Sequence, residues 1–316
     1  MLNAKIELVK QFGSDDDTKN MLGTISSFTV DRTGNLFVAD DALKVIKVFS
    51  KDGMLIRVLG HGVGKGPGEF GALGSIDVDS LSNVYVLDKV NTNLTVIDSF
   101  NNVLGTLKLK FLPSQVAVVR SGVADVMGFP FSYKGDLIHR LTIIGAEGNN
   151  PILTYCKRLT IKEATLIERS GQSGRLVRST SGKIYYAFPY PYEIRQFSQD
   201  GELLKTFVRQ SSFLAPPYFE YTRKTTVSPS GISGLMILPD EIVVTVLYNS
   251  TNDTIEYRLE FFDGKNGEYI GTVPAKQLGL SSIRYIRSDS EGYLYLDQSE
   301  PYPHINKYKL IVDLNE

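Results

Sequence analysis

The sequence predicts an all-β fold, namely a six-bladed β-propeller with four-stranded antiparallel blades, and three observations predict it. Short apolar strands separated by polar turns form a unit that occurs twice near the N-terminus. Weaker copies of this unit continue to the C-terminus, and internal repetition at this period is typical of propellers. The last copy has only three strands, so a strand from the N-terminus can complete it and close the ring.

The repeat is clearest in its first two copies. Residues 26–60 contain four short β runs separated by the turns RTGN, DDAL and KDG, and residues 74–109 repeat this order. When VDRTGNLFVAD is placed over VDSLSNVYVLD, Asp31 aligns with Asp79 at the start of the first turn. Because Asp, Asn and Gly favour tight turns and β-branched and aromatic residues favour strands, each copy predicts one four-stranded sheet.

The later copies have drifted, but they keep a turn followed by an apolar strand. The fourth copy contains SQDGE, which matches the SKDGM turn of the first, and the fifth is expected to have a longer connector between its middle strands. Length alone allows one domain or two. We predict a single propeller domain over residues 1–316, with blades at about 26–60, 74–110, 113–160, 172–210, 226–275 and 280–316, the last completed by residues 1–13.

The two ends of the sequence are expected to meet in one blade. The N-terminal segment AKIELVKQFGS resembles the outer strands LLKTFVRQ and LIRVLGHG of other copies. The sixth copy, IRYIRSDSEGYLYLD followed by HINKYKLIVDL, ends after three strands. Closing the ring with the N-terminal strand leaves only short, protected sheet edges. Both termini are therefore expected to be ordered strands.

Composition and charge disfavour several classes of protein. The 34 basic and 35 acidic residues give a net charge of −1 and a pI near 6.4, so no basic stripe is expected to attract nucleic acid. Cys156 is the single cysteine, which precludes an internal disulfide and a cysteine-based zinc site. No apolar run reaches the length of a membrane-spanning helix, and residues 1–12 have no signal-peptide core. We expect a monomer without a transmembrane segment.

The glycine-rich segment GHGVGKGPGEF, residues 60–70, raises the question of phosphate binding. A phosphate loop needs Gly, four residues and then Gly-Lys-Ser/Thr, but Leu59 stands at the first glycine position and Gly66 at the hydroxyl position. No G-x-G-x-x-G frame fits, and the following residues GSIDVDSLSNVYVLD predict strand, turn and strand rather than a helix. We therefore interpret the segment as a connector from one blade to the next.

Candidate metal ligands are present, but their pattern favours structural roles. An aspartate recurs after the second strand of three copies, as Asp40, Asp88 and Asp297. A unique metal site needs different ligands from different blades, whereas a recurring Asp is typical of turns. The histidines are too scattered to recommend a zinc site, and they are His61, His139 and His304. We expect no cofactor, although a divalent cation in the central channel is an open alternative.

Aromatic residues interleaved with prolines carry the strongest signal for binding. The loops between the second and third strands read GFPFSYKGD, AFPYPYEIR and DQSEPYPHIN in the third, fourth and sixth copies, and SFLAPPYFEYTRK connects the fourth copy to the fifth. Because strands in a blade alternate in direction, these segments are expected on one face. Proline stiffens them, and aromatic rings offer large contact areas. The candidate ligand-binding residues are Phe129, Phe131, Tyr133, Phe188, Tyr190, Tyr192, Tyr218, Phe219, Tyr221, Tyr302 and His304.

The pattern I-x-V-D-x-x-G-N-x-Y-V-x-D, present as FTVDRTGNLFVAD and SIDVDSLSNVYVLD, together with GKGPGEF ahead of a blade, resembles the NHL-type six-bladed propellers. The similarity is greatest to the bacterial group with a G-x-G-P-G-E-F connector. It is specific over residues 26–110, weaker at 172–210 and 283–297, and architectural elsewhere. It implies a bacterial protein at a periplasmic or cell-surface location after removal of a leader, with a cytoplasmic location as the alternative.

Two functions follow from these observations. The leading hypothesis is a non-enzymatic recognition propeller that binds a protein, peptide or glycan through the aromatic loop face, unless the rings instead pack on each other or plug the channel. The alternative, implied by resemblance to the wider propeller group, is a metal-dependent hydrolase or lyase of the gluconolactonase-like type with an ion in the central channel. RNA binding, as in some animal NHL proteins, is disfavoured because the charge is balanced.

Overall fold

The fold is described by a computed structural model covering residues 2–130, 135–145, 148–163, 166, 173–221, 225–251 and 254–313, with no description of the side chains of residues 129 and 130. The described residues form six four-stranded sheets and one two-stranded sheet. Neighbouring strands within the blades run antiparallel. The predicted all-β, six-bladed propeller with four-stranded antiparallel blades is therefore confirmed.

The strands follow the order of the repeat. The chain begins with β1 (Ala4–Phe12). The first three blades consist of β2 (Ile25–Val30), β3 (Leu36–Asp40), β4 (Val45–Phe49), β5 (Leu55–Leu59); β6 (Leu73–Val78), β7 (Val84–Asp88), β8 (Asn93–Ile97), β9 (Val103–Lys108); and β10 (Phe111–Arg120), β11 (Val123–Pro130), β12 (Asp136–Thr142), β13 (Leu153–Lys157).

The second half of the chain continues the same order with one added hairpin. Its strands are β14 (Arg175–Arg178), β15 (Ile184–Ala187), β16 (Glu193–Phe197), β17 (Leu203–Val208); the hairpin β18 (Tyr218–Glu220), β19 (Thr225–Val227); β20 (Ser230–Ile237), β21 (Ile242–Thr251), β22 (Thr254–Asp263), β23 (Tyr269–Pro274); and β24 (Ile286–Ser288), β25 (Tyr293–Gln298), β26 (His304–Val312). Two short 3-10 turns cover Pro239–Glu241 and Ala275–Leu278. No helix in the described part of the chain is long and apolar enough to cross a membrane.

The chain divides into two compact units. Unit 1 comprises Met1–Glu7, Cys156–Leu294 and Tyr308–Glu316, and it contains the blades β14–β17 and β20–β23 together with the hairpin β18–β19. Unit 2 comprises Leu8–Tyr155 and Tyr295–Lys307, and it contains the blades β2–β5 and β6–β9.

Burial follows the position of a strand within its blade. All five residues of β3 and of β7 are buried, whereas the outer strands β5 and β9 alternate between more and less exposed positions. A strand covered on both faces needs a continuous apolar sequence, while an outer strand needs only one apolar face. In unit 2 the apolar side chains of the first two blades form one cluster, which includes Phe37, Ala39, Ile46, Val48, Leu59, Phe70, Leu73, Ile76, Val84, Val86 and Ile97.

Small polar side chains join adjacent inner strands in unit 2. The Ser27 hydroxyl accepts a hydrogen bond from the Ile76 N–H at 3.3 Å, and the Ser75 hydroxyl accepts one from the Val116 N–H at 3.3 Å. The Asp77 carboxylate accepts from a backbone N–H of β10 at 2.7 Å. Because these groups are removed from water, each bond satisfies a backbone donor that would otherwise destabilise the fold.

The N-terminal strand completes the last blade. The sheet order is β1, β26, β25, β24, as the missing fourth strand predicted. In unit 1 the Asp313 N–H donates to the Asn3 carbonyl at 3.0 Å. In unit 2 the ring of Phe12 is fully buried, with its centroid 6.3 Å from that of Phe49 and 6.1 Å from that of Tyr295. The predicted closure of the ring is therefore confirmed.

The fifth blade differs from the expectation of a longer connector between its middle strands. The strands β21 and β22 pair continuously from Ile242 with Asp263 to Thr251 with Thr254, which leaves two residues between them. The hydroxyls of Thr251 and Thr254 lie 3.2 Å apart. Threonine and isoleucine favour strands, so pairing extends through residues that the sequence assigned to a loop. The prediction of a longer connector is therefore wrong.

Candidate functional site

The glycine-rich connector folds as a compact reversal in unit 2. Gly60, Gly62 and Gly68 have φ angles of 95°, 86° and 75°, which only glycine adopts readily. The Phe70 N–H donates to the Gly62 carbonyl at 2.9 Å, and the His61 N–H donates to the Gly68 carbonyl at 2.7 Å. The Phe70 ring is buried in the cluster between the first two blades. The segment thus links β5 to β6, as interpreted from the sequence.

A carboxylate of the connector itself occupies the position that an external anion would need. The Glu69 Oε2 atom accepts from the Lys65 N–H at 3.1 Å and from the Gly66 N–H at 2.8 Å. A Cβ at Gly64 would overlap the same carboxylate, so the loop closes tightly around it. Because these N–H groups already have an anionic acceptor, the geometry disfavours a phosphate-binding role for this loop.

The recurring aspartates fasten incoming connectors to their blades. The carboxylate of Asp40 accepts from the N–H groups of Gly23 and Thr24 at 3.0 and 3.1 Å. The carboxylate of Asp88 accepts two hydrogen bonds in the same way, from backbone N–H groups of the connector ahead of β6, at 2.7 and 3.2 Å. Both aspartates are buried, as is Asp297. At Asp40 and Asp88 the carboxylates therefore serve as acceptors for backbone N–H groups, in agreement with the structural interpretation.

No group of three or more His, Cys, Asp or Glu side chains that could hold a metal ion occurs among the described residues. The Nδ1 atom of His61 lies 2.8 Å from a carbonyl oxygen of its own connector. The ring of His139 stacks on Phe111 with centroids 4.3 Å apart, and His304 is buried. Each histidine thus has a local packing or hydrogen-bonding environment. The expected lack of a cofactor stays a prediction.

Among the candidate aromatic residues whose side chains the structure describes, the most exposed lie in unit 1, on the chain between β17 and β20. We call residues 218–227, which include β18 and β19, the aromatic hairpin; its residues 222–224 lie outside the described part of the chain. The exposed fractions of Tyr218, Phe219 and Tyr221 are 53%, 40% and 84%. The rings of Phe219 and Tyr221 meet edge to face, with centroids 5.1 Å apart and planes at 82°. Clustered exposed rings of this kind are typical of interaction sites.

The connector that leads into the aromatic hairpin is fixed to the following blade. The Asn249 amide donates to the Phe213 carbonyl at 2.7 Å. The Ser230 hydroxyl accepts from the Ala215 N–H at 2.6 Å and donates to the Ala215 carbonyl at 3.0 Å. Phe213 itself is buried, and the guanidinium of Arg258 lies 4.2 Å from its ring centroid. The exposed rings are therefore presented on an anchored segment.

The loop of residues 188–192 packs beside the start of β20. The Pro189 carbonyl accepts from the Ile232 N–H at 3.0 Å. Phe188 and Tyr192 are buried and Tyr190 is half-buried. Removing a large apolar ring from water stabilises the fold more than burying a small side chain does, and the space between two blades accommodates such rings. For Phe188 and Tyr192 the packing alternative therefore applies, and they are not exposed contact residues.

A buried polar cluster beside this loop has perturbed pKa values. Burial raises the pKa of the Tyr192 hydroxyl well above its usual range, and a hydrogen bond of 2.6 Å joins this hydroxyl to that of Thr245. Burial also raises the pKa of the Glu260 carboxyl, whose Oε2 atom lies 3.1 Å from Nε of Arg209. The Arg209 guanidinium stacks 3.5 Å from the ring centroid of Tyr269. The Tyr192 hydroxyl therefore stays protonated, and the cluster joins the loop to the blade β20–β23.

The remaining candidates belong to unit 2, and they are described without reference to unit 1. Tyr302 is half-buried and accepts a hydrogen bond from a glutamine of β1 at 2.5 Å. The buried His304 lies beside it, with ring centroids 5.2 Å apart. The backbone of Phe129 lies in β11. Phe131 and Tyr133 lie outside the described residues.

Sequence reasoning missed a pair of arginines on the inner strands of unit 1. Arg175 is the first residue of β14, and Arg287 is the central residue of β24. The Arg175 Nε–H donates to the Ser233 carbonyl on β20 at 2.6 Å, across 58 positions of sequence. The available signal was an arginine near the start of each inner strand, in GRLVR and RYIRS. The hydrogen bond from Arg175 depends on the assembly of two blades, which no local pattern reveals.

Among solved structures with this fold, a protein described as exported from Bacteroides fragilis has a TM-score of 0.68 and 12% identity over 97% of this chain and 95% of its own. A member of the DUF4221 family from Bacteroides vulgatus has a TM-score of 0.66 and 10% identity over 98% of this chain and 99% of its own. Virginiamycin B lyase from Staphylococcus aureus has a TM-score of 0.55 and 13% identity over 98% of this chain and 100% of its own. At these identities the similarity shows the fold alone.

Sequence comparison gives the family directly. None of the curated proteins matches the chain in sequence. A family model described as a 6-bladed beta-propeller matches residues 17–200, which is more than half of the chain. The match begins ahead of β2 and extends into the turn before β17, so it spans the copies in which the repeat is clearest. The chain therefore belongs to the DUF5128 family of six-bladed β-propellers.

Proposed function

We propose that the protein is a non-enzymatic recognition propeller and that the aromatic hairpin, residues 218–227, forms part of its ligand-binding surface. The observation that carries the proposal is the exposure of Tyr218, Phe219 and Tyr221. The connector directly ahead of them is held by Ser230 and Asn249. An anchored segment loses less conformational entropy on binding than a free loop. Aromatic rings supply much of the binding energy at protein interfaces.

We propose a protein or peptide as the ligand rather than a glycan. Sugar rings stack on flat aromatic faces, but the planes of Phe219 and Tyr221 are 82° apart and form no common platform. Two ring orientations suit the irregular apolar side chains of a polypeptide. Within the described chain, β18 and β19 pair only with each other, so each strand also has an outer edge to which an extended peptide can add.

The test uses a phage-displayed peptide library and a glycan array as probes of the intact protein. Peptides selected on the wild type should bind the double variant Phe219→Ala, Tyr221→Ala at least tenfold more weakly, since several kcal/mol of contact energy can lie in such rings. Because both rings are exposed, the thermal stability of this variant should stay near that of the wild type. The matched control is Phe100→Ala, which removes a ring that is 85% exposed in a turn of the second blade.

Three outcomes would contradict the proposed function. The first is a selection that yields no enriched peptide. The second is a set of selected peptides that binds the double variant as tightly as it binds the Phe100→Ala control. Binding to glycans on the array without any peptide binding would replace the proposed ligand class by a carbohydrate. Weaker peptide binding in the double variant alone supports the proposal.

We propose in addition that the protein acts outside the cytoplasm, at a periplasmic or cell-surface location. The resemblance of GKGPGEF and its neighbouring repeats to an exported bacterial group supports this, and one solved structure with the same fold is described as an exported protein. Immunoblotting of fractions from the source cells tests it. Protein confined to the cytoplasmic fraction would contradict the proposed location.

A further inference from the structure

A cavity in unit 1 lies between the blade β20–β23 and the part of the last blade that belongs to the same unit. It encloses about 250 Å³. A dry cavity of roughly 150 Å³ can hold benzene, whereas pockets for drug-sized ligands begin at roughly 300 Å³. The volume therefore suits a small ligand, such as one ring with a short chain.

Most of the lining of this cavity is apolar. Phe261 is buried, and the side chains around it are half-buried or exposed. Apolar surface beside an open cavity stays in contact with water, and an apolar ligand body would remove it from water. The walls therefore favour a ligand with an apolar ring or chain. The apolar residues of the lining are Leu238, Pro239, Ile242, Phe261, Leu310 and Val312.

Two tight turns bring carboxylates to the solvent side of the cavity. One turn joins β20 to β21 and the other joins β24 to β25. A Cβ at Gly292 would lie 3.0 Å from Cδ of Pro239, so the two turns are in contact. Asp240 follows Pro239 and Glu291 precedes Gly292. Both acidic residues are exposed and both line the cavity.

Within the described part of the chain, the carboxylates of Asp240 and Glu291 have no hydrogen bond and no ion pair. The lysine nearest in the contacts of this turn is already engaged, because Nζ of Lys183 lies 2.6 Å from Oε2 of Glu241. Exposed carboxylates are ionised at neutral pH, and two negative charges at one opening repel each other. A bound cation would relieve this repulsion.

We propose that this cavity, which we call the acidic pocket, binds a small organic cation, namely a protonated amine carried on an apolar ring or chain. The apolar walls would cover the body of the ligand, and the carboxylates of Asp240 and Glu291 would accept hydrogen bonds from its ammonium group. A neutral apolar ligand would leave both carboxylates unpaired, and an anion would be repelled. Charge complementarity therefore selects the cation.

The acidic pocket is separate from the aromatic hairpin. Ser230, the first residue of β20, holds the connector ahead of the hairpin through Ala215, whereas Leu238 at the pocket follows the last residue of β20. At about 3.3 Å per residue, the ends of this strand lie roughly 25 Å apart. Amine binding thus does not depend on the peptide binding proposed above, and the two tests can fail independently.

Phenethylamine and hexylamine, both protonated at neutral pH, serve as probes of the intact protein at constant ionic strength. 2-Phenylethanol and 1-hexanol are their neutral analogues, and phenylacetate and hexanoate are anionic analogues. The wild type should show a saturable rise in melting temperature with at least one amine, because a ligand that binds only the folded state stabilises it. In titration calorimetry the neutral analogue should bind at least tenfold more weakly, and the anionic analogue should show no binding.

The double variant Asp240→Asn, Glu291→Gln should bind the active amine at least tenfold more weakly, because the amides keep the shape of the side chains but not their charge. Asp240 has a φ angle of 60°, which asparagine adopts readily, so this variant should fold as the wild type does. The matched control is the double variant Asp200→Asn, Glu202→Gln. It removes two exposed charges between β16 and β17, away from the pocket lining, and should bind as the wild type does.

A wild type that responds to neither amine would overturn the proposal. Equal affinities for an amine and its neutral analogue would also overturn it, since the carboxylates would then contribute nothing. The same holds if the active amine binds the Asp240→Asn, Glu291→Gln variant as tightly as it binds the Asp200→Asn, Glu202→Gln control. Weaker amine binding in the first variant alone supports the acidic pocket.

Discussion

Replacing Phe12 by alanine tests the closure of the last blade by the N-terminal strand. The ring of Phe12 is fully buried in unit 2, with centroids 6.3 Å from Phe49 and 6.1 Å from Tyr295. Removing a buried phenylalanine ring costs about 3–5 kcal/mol, because its burial and its contacts are lost and a cavity is left. At about 1.4 kcal/mol per factor of ten, the unfolding equilibrium constant should rise by roughly two to three and a half orders of magnitude.

Urea unfolding provides the measurement, with Leu8→Ala as the matched control on the same strand. Leu8 is 59% exposed, so its replacement should change the free energy of unfolding by less than about 0.5 kcal/mol. Far-UV circular dichroism and tyrosine fluorescence report the transition, since the chain has 17 tyrosines and no tryptophan. Phe12→Ala should lower the midpoint with little change in slope. Midpoints of Phe12→Ala and Leu8→Ala that both equal the wild-type value would refute the closure.

Three further predictions concern local interactions. Asp31→Ala should lower the free energy of unfolding, measured by chemical denaturation, by about 1.5–3 kcal/mol, because this buried carboxylate accepts hydrogen bonds from its own turn and from the next blade. The control Asp98→Ala, in an exposed turn of the same type, should lower it clearly less. Burial raises the pKa of the Glu260 carboxyl above 4.5, so the folded state holds this proton more tightly and stability falls as pH rises through the folded-state pKa. The urea midpoint of Glu260→Gln should lack that decline. Identical pH profiles of the wild-type and Glu260→Gln midpoints would disprove this prediction. Gly174→Ala should lower the melting temperature because its Cβ would overlap neighbouring atoms, whereas Gly148→Ala meets open space and should be neutral.

The blades and their closure could be predicted because their signals are local in sequence. The turn at Asp31 recurs at Asp79, and in both places the carboxylate accepts bonds from the backbone two and four residues later. Such turns fix where one strand ends and the next begins. The missing fourth strand of the last copy then required a partner, and β1 was the remaining strand of suitable pattern. The fifth blade was less predictable because paired threonines extend β21 and β22 through a polar segment.

The candidate site was less predictable because exposure depends on contacts between blades. Phe188 and Tyr221 both lie in proline-rich aromatic segments, yet one ring is buried and the other is 84% exposed. Their sequences do not differ in a way that predicts this, since the burial of Phe188 arises from the packing of its loop. Arg175 reaches the Ser233 carbonyl only when the inner strands of two blades assemble. Neither property is encoded in a short window of sequence.

Hydrogen–deuterium exchange of the intact protein, with and without a peptide obtained by library selection, tests most directly whether the aromatic hairpin binds the ligand. We expect slower exchange across residues 218–227 on peptide binding, because ligand contact and added strand pairing would protect their backbone amides. The buried middle strands of the blades should exchange at unchanged rates. Protection confined to other segments, with no change in the hairpin, would contradict the proposed recognition surface.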